Sequence, residues 1–264
     1  MDLGIKDRLA VVTGAESGIG LAAAKMLAAE GVRLILSDLD EDDLKKAATG
    51  VPNVVDLIAA DLTDAKDQAR LARAAEEAGG ADILVHSAGI TGEKGDPLDM
   101  TDEDFNECWR TNLLSAVAMC RQLVPGMAER GWGRVVFVTS ENAVQPYPDE
   151  VVYNCSKAAL LSFAKGLSLP YGPKGVRVNT VAPAFIETPM TDGMMEKRAE
   201  EQGVSFDEAV ESFLEEERPY LTLKRRGKPD EVAAAIALLC SEHASFTNGS
   251  AYRVDGGAVA AINT

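Results

Sequence analysis

Two side chains four residues apart, Tyr153 and Lys157, have the chemistry to transfer a proton. Residues four apart on a helix share a face, so the phenol and the ammonium group can point into the same space. A phenol with an ordinary pKa of about 10 is a poor base at neutral pH. A nearby ammonium group stabilises the phenolate and lowers that pKa, which makes proton exchange with an alcohol feasible. On its own this spacing is common by chance and more often describes a solvated helix face.

Ser140 and Asn112 add polar groups that could serve the same chemistry. Ser140 ends a predicted strand over residues 134–140. A hydroxyl at the carboxyl end of a parallel strand faces the ligand crevice, where it could hydrogen-bond a substrate oxygen and stabilise developing charge. Asn112 falls within a predicted helix over residues 102–130, and an asparagine in mid-helix is unfavourable unless its amide has a specific partner.

A glycine cluster follows the first predicted strand and opens a helix, with glycines at positions 14, 18 and 20. Glycines allow a tight turn and let the backbone approach a pyrophosphate closely, while the helix N-terminus offers free N–H groups and a partial positive charge. Glycine clusters alone are weak signals, since any tight strand-to-helix turn can use them. Here an acidic residue follows about 20 positions on, so the context predicts dinucleotide binding.

That acidic residue is Asp38, at the end of the second predicted strand. Its carboxylate can accept hydrogen bonds from the adenosine ribose hydroxyls and would repel a 2′-phosphate. The neighbouring candidates, Glu16 and Ser37, supply no cation for such a phosphate. We therefore expect NAD in preference to NADP. Alternatively, Asp38 caps the helix that begins near Glu41, a role compatible with ribose binding.

Strands and helices must alternate to place these residues together. The predicted strands cover residues 9–13, 32–38, 54–61, 83–87, 134–140, 176–181 and 250–254. The predicted helices cover residues 19–30, 41–48, 64–78, 102–130, 151–171 and 229–241. Continuous rather than alternating hydrophobicity in the strands indicates an α/β fold, a Rossmann-type doubly wound parallel sheet of about seven strands with helices on both faces.

One segment, residues 187–226, breaks the alternation, being rich in Met, Glu and Arg and without a predicted strand. We expect inserted helices that form a substrate lid, since ligands bind at the carboxyl ends of such a sheet. The alternative is a surface elaboration. With no linker, repeat or low-complexity tract, we expect residues 1–264 to form a single domain that includes this insertion.

Composition excludes several classes of function. The net charge of −16 disfavours nucleic acid or an anionic membrane, because either partner would need a cationic face. Four cysteines without a CxxC pair and only two histidines predict no metal site and reduced thiols. No apolar run approaches the roughly 20 residues of a membrane span, and the first residues do not have the pattern of a signal peptide. We expect a cytoplasmic protein.

Taken together, these motifs resemble the short-chain dehydrogenase/reductase family over essentially the whole chain. The family's TGxxxGxG pattern matches residues 13–20, and its C-terminal signature matches residues 254–257. Its catalytic set looks like Asn112, Ser140, Tyr153 and Lys157. The resemblance implies that Tyr153 is the acid/base, that Ser140 orients the substrate oxygen, that Lys157 holds the ribose and lowers the Tyr153 pKa, and that Asn112 supports a relay water.

The resemblance also implies which residues contact the cofactor and the substrate. In relatives, the Asp61-Leu62 pair contacts adenine, residues 179–183 lie on the nicotinamide side, and the position of Thr188 often binds the carboxamide or phosphate. The expected cofactor contacts are Gly14, Ser17, Gly18, Ile19, Gly20, Asp38, Asp61, Leu62, Ser87, Ala88, Gly89, Asn112, Tyr153, Lys157, Pro183, Ala184, Ile186 and Thr188. The expected substrate contacts are Glu141, Asn142, Gln145, Tyr147 and Phe185.

Two positions depart from the family pattern. The family's NNAG motif corresponds to His86-Ser87-Ala88-Gly89, and Ala184 stands where glycine is usual after Pro183. We interpret His86 as a supporting residue rather than a catalyst. Ala184 slightly narrows the approach to the nicotinamide. Neither change removes a group that the reaction needs.

We therefore expect an NAD-dependent oxidoreductase that transfers a hydride between nicotinamide and a small secondary alcohol or ketone. One alternative is a ketoreductase similar to 3-oxoacyl-carrier-protein reductases, although such enzymes usually use NADPH and present a basic face. Another is a non-catalytic NAD-binding protein, for which a degenerate catalytic set would be the signature. Relatives usually form homotetramers through the long helices, here predicted over residues 102–130 and 151–171, so we expect a homotetramer.

Overall fold

Continuous apolar runs form strands that are covered on both faces of one sheet. The computed structural model describes residues 2–262. Within them, seven strands pair in parallel in the order β3-β2-β1-β4-β5-β6-β7. The strands are β1 Leu9–Thr13, β2 Arg33–Asp38, β3 Val54–Ala59, β4 Ile83–His86, β5 Gly133–Val138, β6 Val176–Pro183 and β7 Ala251–Val254. Every residue of β1, β4 and β5 is buried, as a sheet covered by helices requires.

Helices pack on both faces of this sheet. Their bounds are α1 Gly18–Ala29, α2 Glu41–Ala48, α3 Ala65–Glu77, α4 Asp102–Trp109, α5 Ser115–Glu129, α6 Val151–Tyr171, α7 Pro189–Gln202, α8 Phe206–Glu216 and α9 Pro229–Cys240. Alanine-rich α1 and α9 cover one face, where their small side chains allow close packing. The helices α3, α5 and α6 bury their apolar stripes against the other face.

The strand order reverses between β1 and β4, because the chain leaves these neighbouring strands toward opposite edges of the sheet. A doubly wound sheet opens a crevice at such a point, outside the carboxyl ends of its strands. The predicted α/β fold with its Rossmann-type sheet is thus confirmed. The described residues include no helix long and apolar enough to cross a membrane.

The predicted single helix over residues 102–130 is wrong in one respect. The structure divides it into α4 and α5, separated by a π-helical turn at Arg110–Leu114. Asn112 lies inside this turn, and its side-chain amide hydrogen-bonds both the backbone N–H and the carbonyl of Ile90. Wider turns of this kind are frequent at functional sites. Hydrophobic spacing did not reveal it, because the residues on both sides of this short turn are themselves helical.

The insertion at residues 187–226 contains α7 and α8 and has a small apolar cluster of its own. Within the described chain, this cluster comprises Phe185, Met195, Phe213, Leu214, Leu221 and Ala258. The ring centres of Phe185 and Phe213 are 4.7 Å apart, so the residues before the insertion pack directly against α8. The insertion therefore stands beside the carboxyl end of β6, next to the crevice. A lid function stays a prediction.

Candidate active site

The turn between β1 and α1 is packed so closely that side chains are excluded from it. Gly14 has a φ of +66°, and a Cβ there would lie 2.7 Å from the backbone nitrogen of Ala88. A Cβ on Gly20 would lie 1.9 Å from the carbonyl oxygen of Gly14. Glycine is the only residue that satisfies both the left-handed conformation and the close approach. The turn thus brings the backbone and the start of α1 to the edge of the crevice.

A cleft of about 810 Å³ runs along the carboxyl ends of the strands, from the end of β2 to the start of α6. Most of the residues predicted to bind a cofactor line it. They are Gly14, Ser17, Gly18, Ile19, Asp38, Asp61, Leu62, Ser87, Ala88, Gly89, Tyr153, Lys157, Pro183, Ala184, Ile186 and Thr188. Ser140 lines it as well.

Two predicted cofactor contacts, Gly20 and Asn112, lie behind this lining. Gly20 packs on the carbonyl of Gly14, whereas Asn112 stands directly behind Gly89. A Cβ on Gly89 would lie 2.9 Å from Asn112 Oδ1 and 3.3 Å from Lys157 Nζ. The missing side chain of Gly89 therefore lets the backbone of the cleft wall approach both polar groups.

Acidic groups cluster at the end of the cleft near β2. Asp38 Oδ2 accepts a hydrogen bond from the backbone N–H of Glu16 at 3.0 Å. Burial raises the pKa of the Glu16 carboxyl, and the nearby Asp38 carboxylate raises it further. The side chain that caps α2 is Asp40, which accepts from the backbone of Asp42 and Asp43. The alternative role of Asp38 as the cap of α2 is therefore wrong, and its carboxylate stays at the cleft.

Lys157 and Tyr153 meet at the opposite end of the cleft. Lys157 Nζ donates to the carbonyl oxygen of Val138 at 2.9 Å and lies 5.6 Å from the centre of the Tyr153 ring. Burial lowers the pKa of the Lys157 ammonium to about 8. Burial also raises the pKa of Tyr153, against the smaller opposing effect of the Ser140 hydroxyl. The phenol is therefore protonated at neutral pH in the cofactor-free protein.

Ser140 follows β5 and is held by the short turn that it begins. Its Oγ donates to Asn142 Oδ1 at 3.0 Å and accepts from the backbone N–H of Asn142 at 3.2 Å. Asn142 donates in turn to Asn154 Oδ1 at 2.8 Å, one residue after Tyr153. The β5–α6 connection thus ties the serine to the helix that carries the tyrosine.

Asn112 has the specific partners that a buried mid-helix amide needs. Its Oδ1 accepts from the backbone N–H of Ile90 at 2.8 Å, and its Nδ2 donates to the Ile90 carbonyl at 2.9 Å. The Nδ2 also donates to Ser156 Oγ at 2.9 Å, inside the Tyr153–Lys157 segment. Asn112 therefore joins the β4–α4 loop, the π-helical turn and α6 at one point.

His86 is buried behind the cleft and has a hydrogen-bond partner on each ring nitrogen. Thr13 Oγ1 lies 3.1 Å from Nδ1, and Ser115 Oγ lies 3.1 Å from Nε2. The Ser115 hydroxyl donates its proton to the Thr111 carbonyl, so we assign the ring proton to Nε2. Burial lowers the pKa of His86 to about 3, and the Lys157 charge adds to this effect. A neutral histidine in this position connects β1, β4 and α5.

The predicted substrate contacts divide into two groups. Glu141, Asn142 and Tyr147 surround Ser140 in the β5–α6 connection. Gln145 instead binds the C-terminal segment, donating to the Ala258 carbonyl at 2.7 Å and accepting from the Ala260 N–H at 3.0 Å. Phe185 is buried in the cluster of the insertion. None of these five residues lines the cleft. The first three are engaged within the β5–α6 connection, whereas Gln145 and Phe185 are held by packing that joins distant parts of the chain.

Two charged residues near Ser140, Glu150 and Arg218, were not predicted as site residues. Glu150 is buried at the start of α6, where it binds Lys94 at 2.7 Å and Asn142 at 2.6 Å. Arg218 of the insertion approaches the same carboxylate at 3.3 Å. Glu150 could have been predicted from the sequence, because it stands only three residues before Tyr153. Nothing in the local pattern around Arg218 indicated its partners, which lie 68 and 77 positions away.

This chain is similar to known proteins over nearly its whole length. A family model described as enoyl-(acyl carrier protein) reductase matches residues 14–259. An uncharacterised oxidoreductase of Bacillus subtilis, YvrD, is 33% identical over 99% of this chain and 100% of its own. The structure of L-sorbose reductase from Gluconobacter frateurii, complexed with NADPH and L-sorbose, has a TM-score of 0.93 at 35% identity, covering 99% of this chain and 100% of the other.

A further solved structure is similar over almost as much of the chain. The 3-ketoacyl-(acyl-carrier-protein) reductase from Brucella melitensis, complexed with NADH, has a TM-score of 0.84 at 29% identity. The alignment covers 97% of this chain and 99% of that one. Similar chains thus bind either nicotinamide cofactor and act on chemically different carbonyl compounds.

Proposed function

Since the chain belongs to the short-chain dehydrogenase/reductase family and is an oxidoreductase, we propose that it transfers a hydride between NAD and a small secondary alcohol or ketone, with Tyr153 as acid/base. The convergence of Ser140, Tyr153 and Lys157 on one end of the cleft carries this proposal. A non-catalytic nucleotide-binding protein would have no need of all three groups. An enzyme that binds NADH but reduces none of a broad carbonyl panel would overturn it.

The residues of the cleft fit a dinucleotide. The closely packed glycine turn and the N-terminus of α1 would hold the pyrophosphate, and Asp38 would accept from the ribose hydroxyls. Two groups of residues line the walls between Asp38 and Tyr153: Ser87 to Gly89 on one side, and Pro183, Ala184, Ile186 and Thr188 on the other. The bound nicotinamide would supply or accept the hydride.

In the reducing direction Tyr153 donates its phenol proton to the carbonyl oxygen. Its raised pKa suits this task, because a protonated phenol is the form that a general acid requires. The Ser140 hydroxyl is placed to hydrogen-bond the same oxygen and to stabilise its developing charge. Lys157, held against the Val138 carbonyl, favours the phenolate that remains. In the oxidising direction the same groups take up the proton.

The preference for NAD rests on the acidic end of the cleft. The residues that line it there are Glu16, Ser37, Asp38 and Leu39, and the set contains no cation for a 2′-phosphate. The bound NADPH of the sorbose reductase shows that a similar fold accepts the phosphorylated cofactor. We expect the ratio of kcat/KM for NADH over NADPH to exceed ten, since a phosphate beside two carboxylates costs several kcal/mol. A ratio below one would contradict the preference.

For the substrate we propose a small polyhydroxylated ketone. The polar side chains nearest Ser140 are buried and bound to one another instead of lining the cleft, so the proposal rests on a similar enzyme. The L-sorbose complex of the similar reductase supports the same class. The test is a panel of ketoses, 3-oxoacyl thioesters, 2-enoyl thioesters and simple cyclic ketones, with NADH oxidation as readout. A preference for cyclic ketones or enoyl thioesters would contradict the proposed class.

Reduction of a 3-oxoacyl thioester is the second candidate, favoured by the similarity to the Brucella enzyme. The net charge of −16 counts against it, because an acidic carrier protein needs a basic docking face. A higher kcat/KM for the thioester than for any ketose would establish this alternative.

We also propose that the protein is a cytoplasmic homotetramer associated through α4, α5 and α6. The four cysteines are unpaired, which supports a reducing compartment. Trp109 and Leu114, on α4 and the following turn, are exposed apolar side chains that association would cover. Light scattering should give four times the monomer mass; a monomer would contradict this assembly.

A further inference from the structure

Arg218, just after α8, is a buried arginine between two carboxylates of the β5–α6 connection. Its Nε lies 3.4 Å from Glu141 Oε1, and its Nη2 lies 3.3 Å and 3.4 Å from the two oxygens of Glu150. The guanidinium group stacks on the Tyr147 ring, 3.4 Å from its centre. Only 7% of the residue is exposed. One side chain of the insertion is therefore fully engaged by the loop that carries Ser140.

Glu150 relays this contact toward the catalytic serine through Asn142. Asn142 Nδ2 donates to Glu150 Oε2 at 2.6 Å, which fixes the orientation of the amide. The other end of the same amide, Oδ1, then accepts from Ser140 Oγ at 3.0 Å. If the Asn142 amide turned over, its NH₂ group would face the serine in place of the acceptor oxygen. Glu150 therefore helps to set the position of the Ser140 hydroxyl, together with Asn154, to which the same Nδ2 donates at 2.8 Å.

The charges of this cluster make Arg218 the residue that holds it together. Lys94 also binds Glu150, but no contact with Glu141 is found for it in the described chain. Glu141 is 2% exposed, and within that chain its Oε2 has no hydrogen-bond partner. Without Arg218, Glu150 would keep Lys94 as its ion-pair partner, whereas Glu141 would have none among the described residues. Removing one partner of a buried ion pair leaves an uncompensated charge, and the remaining groups must move or take up protons.

We propose that Arg218 is a positioning residue that couples the insertion to catalysis by fixing Ser140 through Glu150 and Asn142. The inference rests on the proposed role of Ser140 in binding the substrate oxygen. Docking of the insertion then completes the catalytic site, because Arg218 between the carboxylates tightens the hold on Glu150 and, through it, on Asn142 and Ser140. Withdrawal of the insertion loosens this hold.

Arg198 provides a matched control within the same insertion. It stacks 5.7 Å from the Phe213 ring, which Arg218 also approaches at 4.9 Å. Its own partners are Ser212, Glu216 and Glu217, all on α8 or directly after it. Arg198→Ala therefore removes a guanidinium group from the insertion without touching the β5–α6 connection.

The decisive experiment is a double-mutant cycle with Ser140→Ala and Arg218→Ala, measured as kcat for the best carbonyl substrate. We expect Arg218→Ala alone to lower kcat by about 30- to 100-fold, since misplacing a catalytic group by about 1 Å has that effect. It should lower kcat less than threefold further when Ser140 is already alanine. The dissociation constant of NADH should stay within about threefold, and Arg198→Ala should resemble wild type.

Chemical rescue distinguishes positioning from a general loss of structure. Guanidinium at low millimolar concentration should restore at least a tenth of the wild-type kcat to Arg218→Ala and none to Ser140→Ala. The proposal would be overturned if Arg218→Ala lowered kcat by the same factor in wild type and in Ser140→Ala. An effect of Arg218→Ala confined to KM would also overturn it, because that result would mean direct substrate binding.

Hydrogen exchange tests the coupling without any turnover. We expect peptides over residues 140–150 to exchange faster in Arg218→Ala than in Arg198→Ala. Circular dichroism should show that both variants are folded. If wild type reduces no carbonyl, the proposed function fails while this measurement still decides the coupling. Unchanged exchange in residues 140–150 would overturn the coupling whatever the activity.

Discussion

At the scale of single residues, burial sets the protonation of the two groups that we propose for proton transfer. Tyr153 and Lys157 are both buried. Burial raises the pKa of the phenol and lowers the pKa of the ammonium group, so the neutral form of each is favoured. The phenol keeps its proton at neutral pH, while the ammonium group is poised to lose its charge near pH 8. Hydrogen bonds of 2.9 Å to backbone carbonyls hold the Lys157 ammonium and the Asn112 amide in place.

Replacing Tyr153 by phenylalanine removes the proton donor and leaves the shape of the cleft intact. We expect kcat to fall about 10²- to 10⁴-fold, the usual contribution of general acid–base catalysis. NADH binding, followed by fluorescence, should stay within about threefold of wild type. Tyr171→Phe is the matched control, because that tyrosine ends the same helix beside Lys174. Substantial residual activity in Tyr153→Phe would exclude the proposed mechanism.

Asp38→Ala should relax the discrimination against NADP. Removing the carboxylate lowers the repulsion of a 2′-phosphate, so the NADH/NADPH ratio of kcat/KM should drop at least about tenfold. Asp40→Ala is the control: it removes the cap of α2 and should cost about 1 kcal/mol of stability without changing the ratio. An unchanged ratio in Asp38→Ala would show that the carboxylate does not select the cofactor.

The buried His86 predicts a pH dependence of stability. Its folded pKa of about 3 lies below the ordinary 6.5, so the unfolded chain binds the proton first as the pH falls. Stability is therefore present above pH 6.5 and is lost progressively as the pH falls toward 3. Between pH 7 and pH 5, wild type should lose about 2 kcal/mol more unfolding free energy than His86→Asn.

Urea unfolding at a fixed protein concentration measures this difference. His243→Asn is the control, because that histidine is exposed and its ring binds only the backbone of Asp2. Parallel losses in wild type and His86→Asn would mean that His86 is not held neutral.

At the scale of elements, the proposed catalytic groups are placed by the ends and irregularities of helices and strands. Ser140 comes two residues after β5, and Tyr153 lies in the first turn of α6. The π-helical turn between α4 and α5 directs Asn112 toward the Ile90 backbone. We did not expect this contact, because the sequence predicted a regular helix there. The tight β1–α1 turn aims the N-terminus of α1 at the cleft.

The packing of the β1–α1 turn predicts that alanine is tolerated very differently at two glycines, Gly20 and Gly193. Gly20→Ala places a Cβ 1.9 Å from the Gly14 carbonyl, so the turn must shift, and we expect NADH affinity to fall at least about tenfold. Gly193→Ala, in exposed α7 with no described atom within 4 Å, should raise stability by up to about 1 kcal/mol and leave affinity unchanged. Equal NADH affinities in the two variants, measured by fluorescence titration, would contradict the packing argument.

At the scale of the whole molecule, the sheet and the insertion have separate apolar interiors. Two extensive clusters cover the faces of the sheet, whereas a cluster of six buried residues supports the insertion. Because free energies of local opening follow the apolar area that each unit buries, the insertion should open without unfolding the sheet. We expect such a division to let a substrate enter while the cofactor side stays formed.

Native-state hydrogen exchange tests this division. Amides in α7 and α8 should exchange at least about a hundredfold faster than those in β1, β4 and β5. A saturating amount of NADH and ketone should slow the exchange of α7 and α8 selectively. Uniform protection across the chain would mean that the insertion and the sheet unfold as one unit.

The sequence by itself determined the features that depend on neighbours along the chain. Periodicity placed the strands and most helices, because burial on both faces demands continuous apolar runs. The spacing of Gly14, Gly18 and Gly20 marked the turn, since only glycine fits it. Tyr153, Lys157 and Ser140 were recognisable from where they stand on a helix or a strand, and the structure brings them to one cleft.

Only the tertiary structure decided which distant residues share an environment. The π-helical turn at Asn112 exists because the Ile90 backbone lies opposite it. Gln145 was engaged by the C-terminal segment, and Phe185 by the cluster of the insertion. Arg218 joined the Ser140 loop across many intervening residues. Such contacts depend on how folded elements dock, and no local pattern of polarity or spacing encodes that geometry.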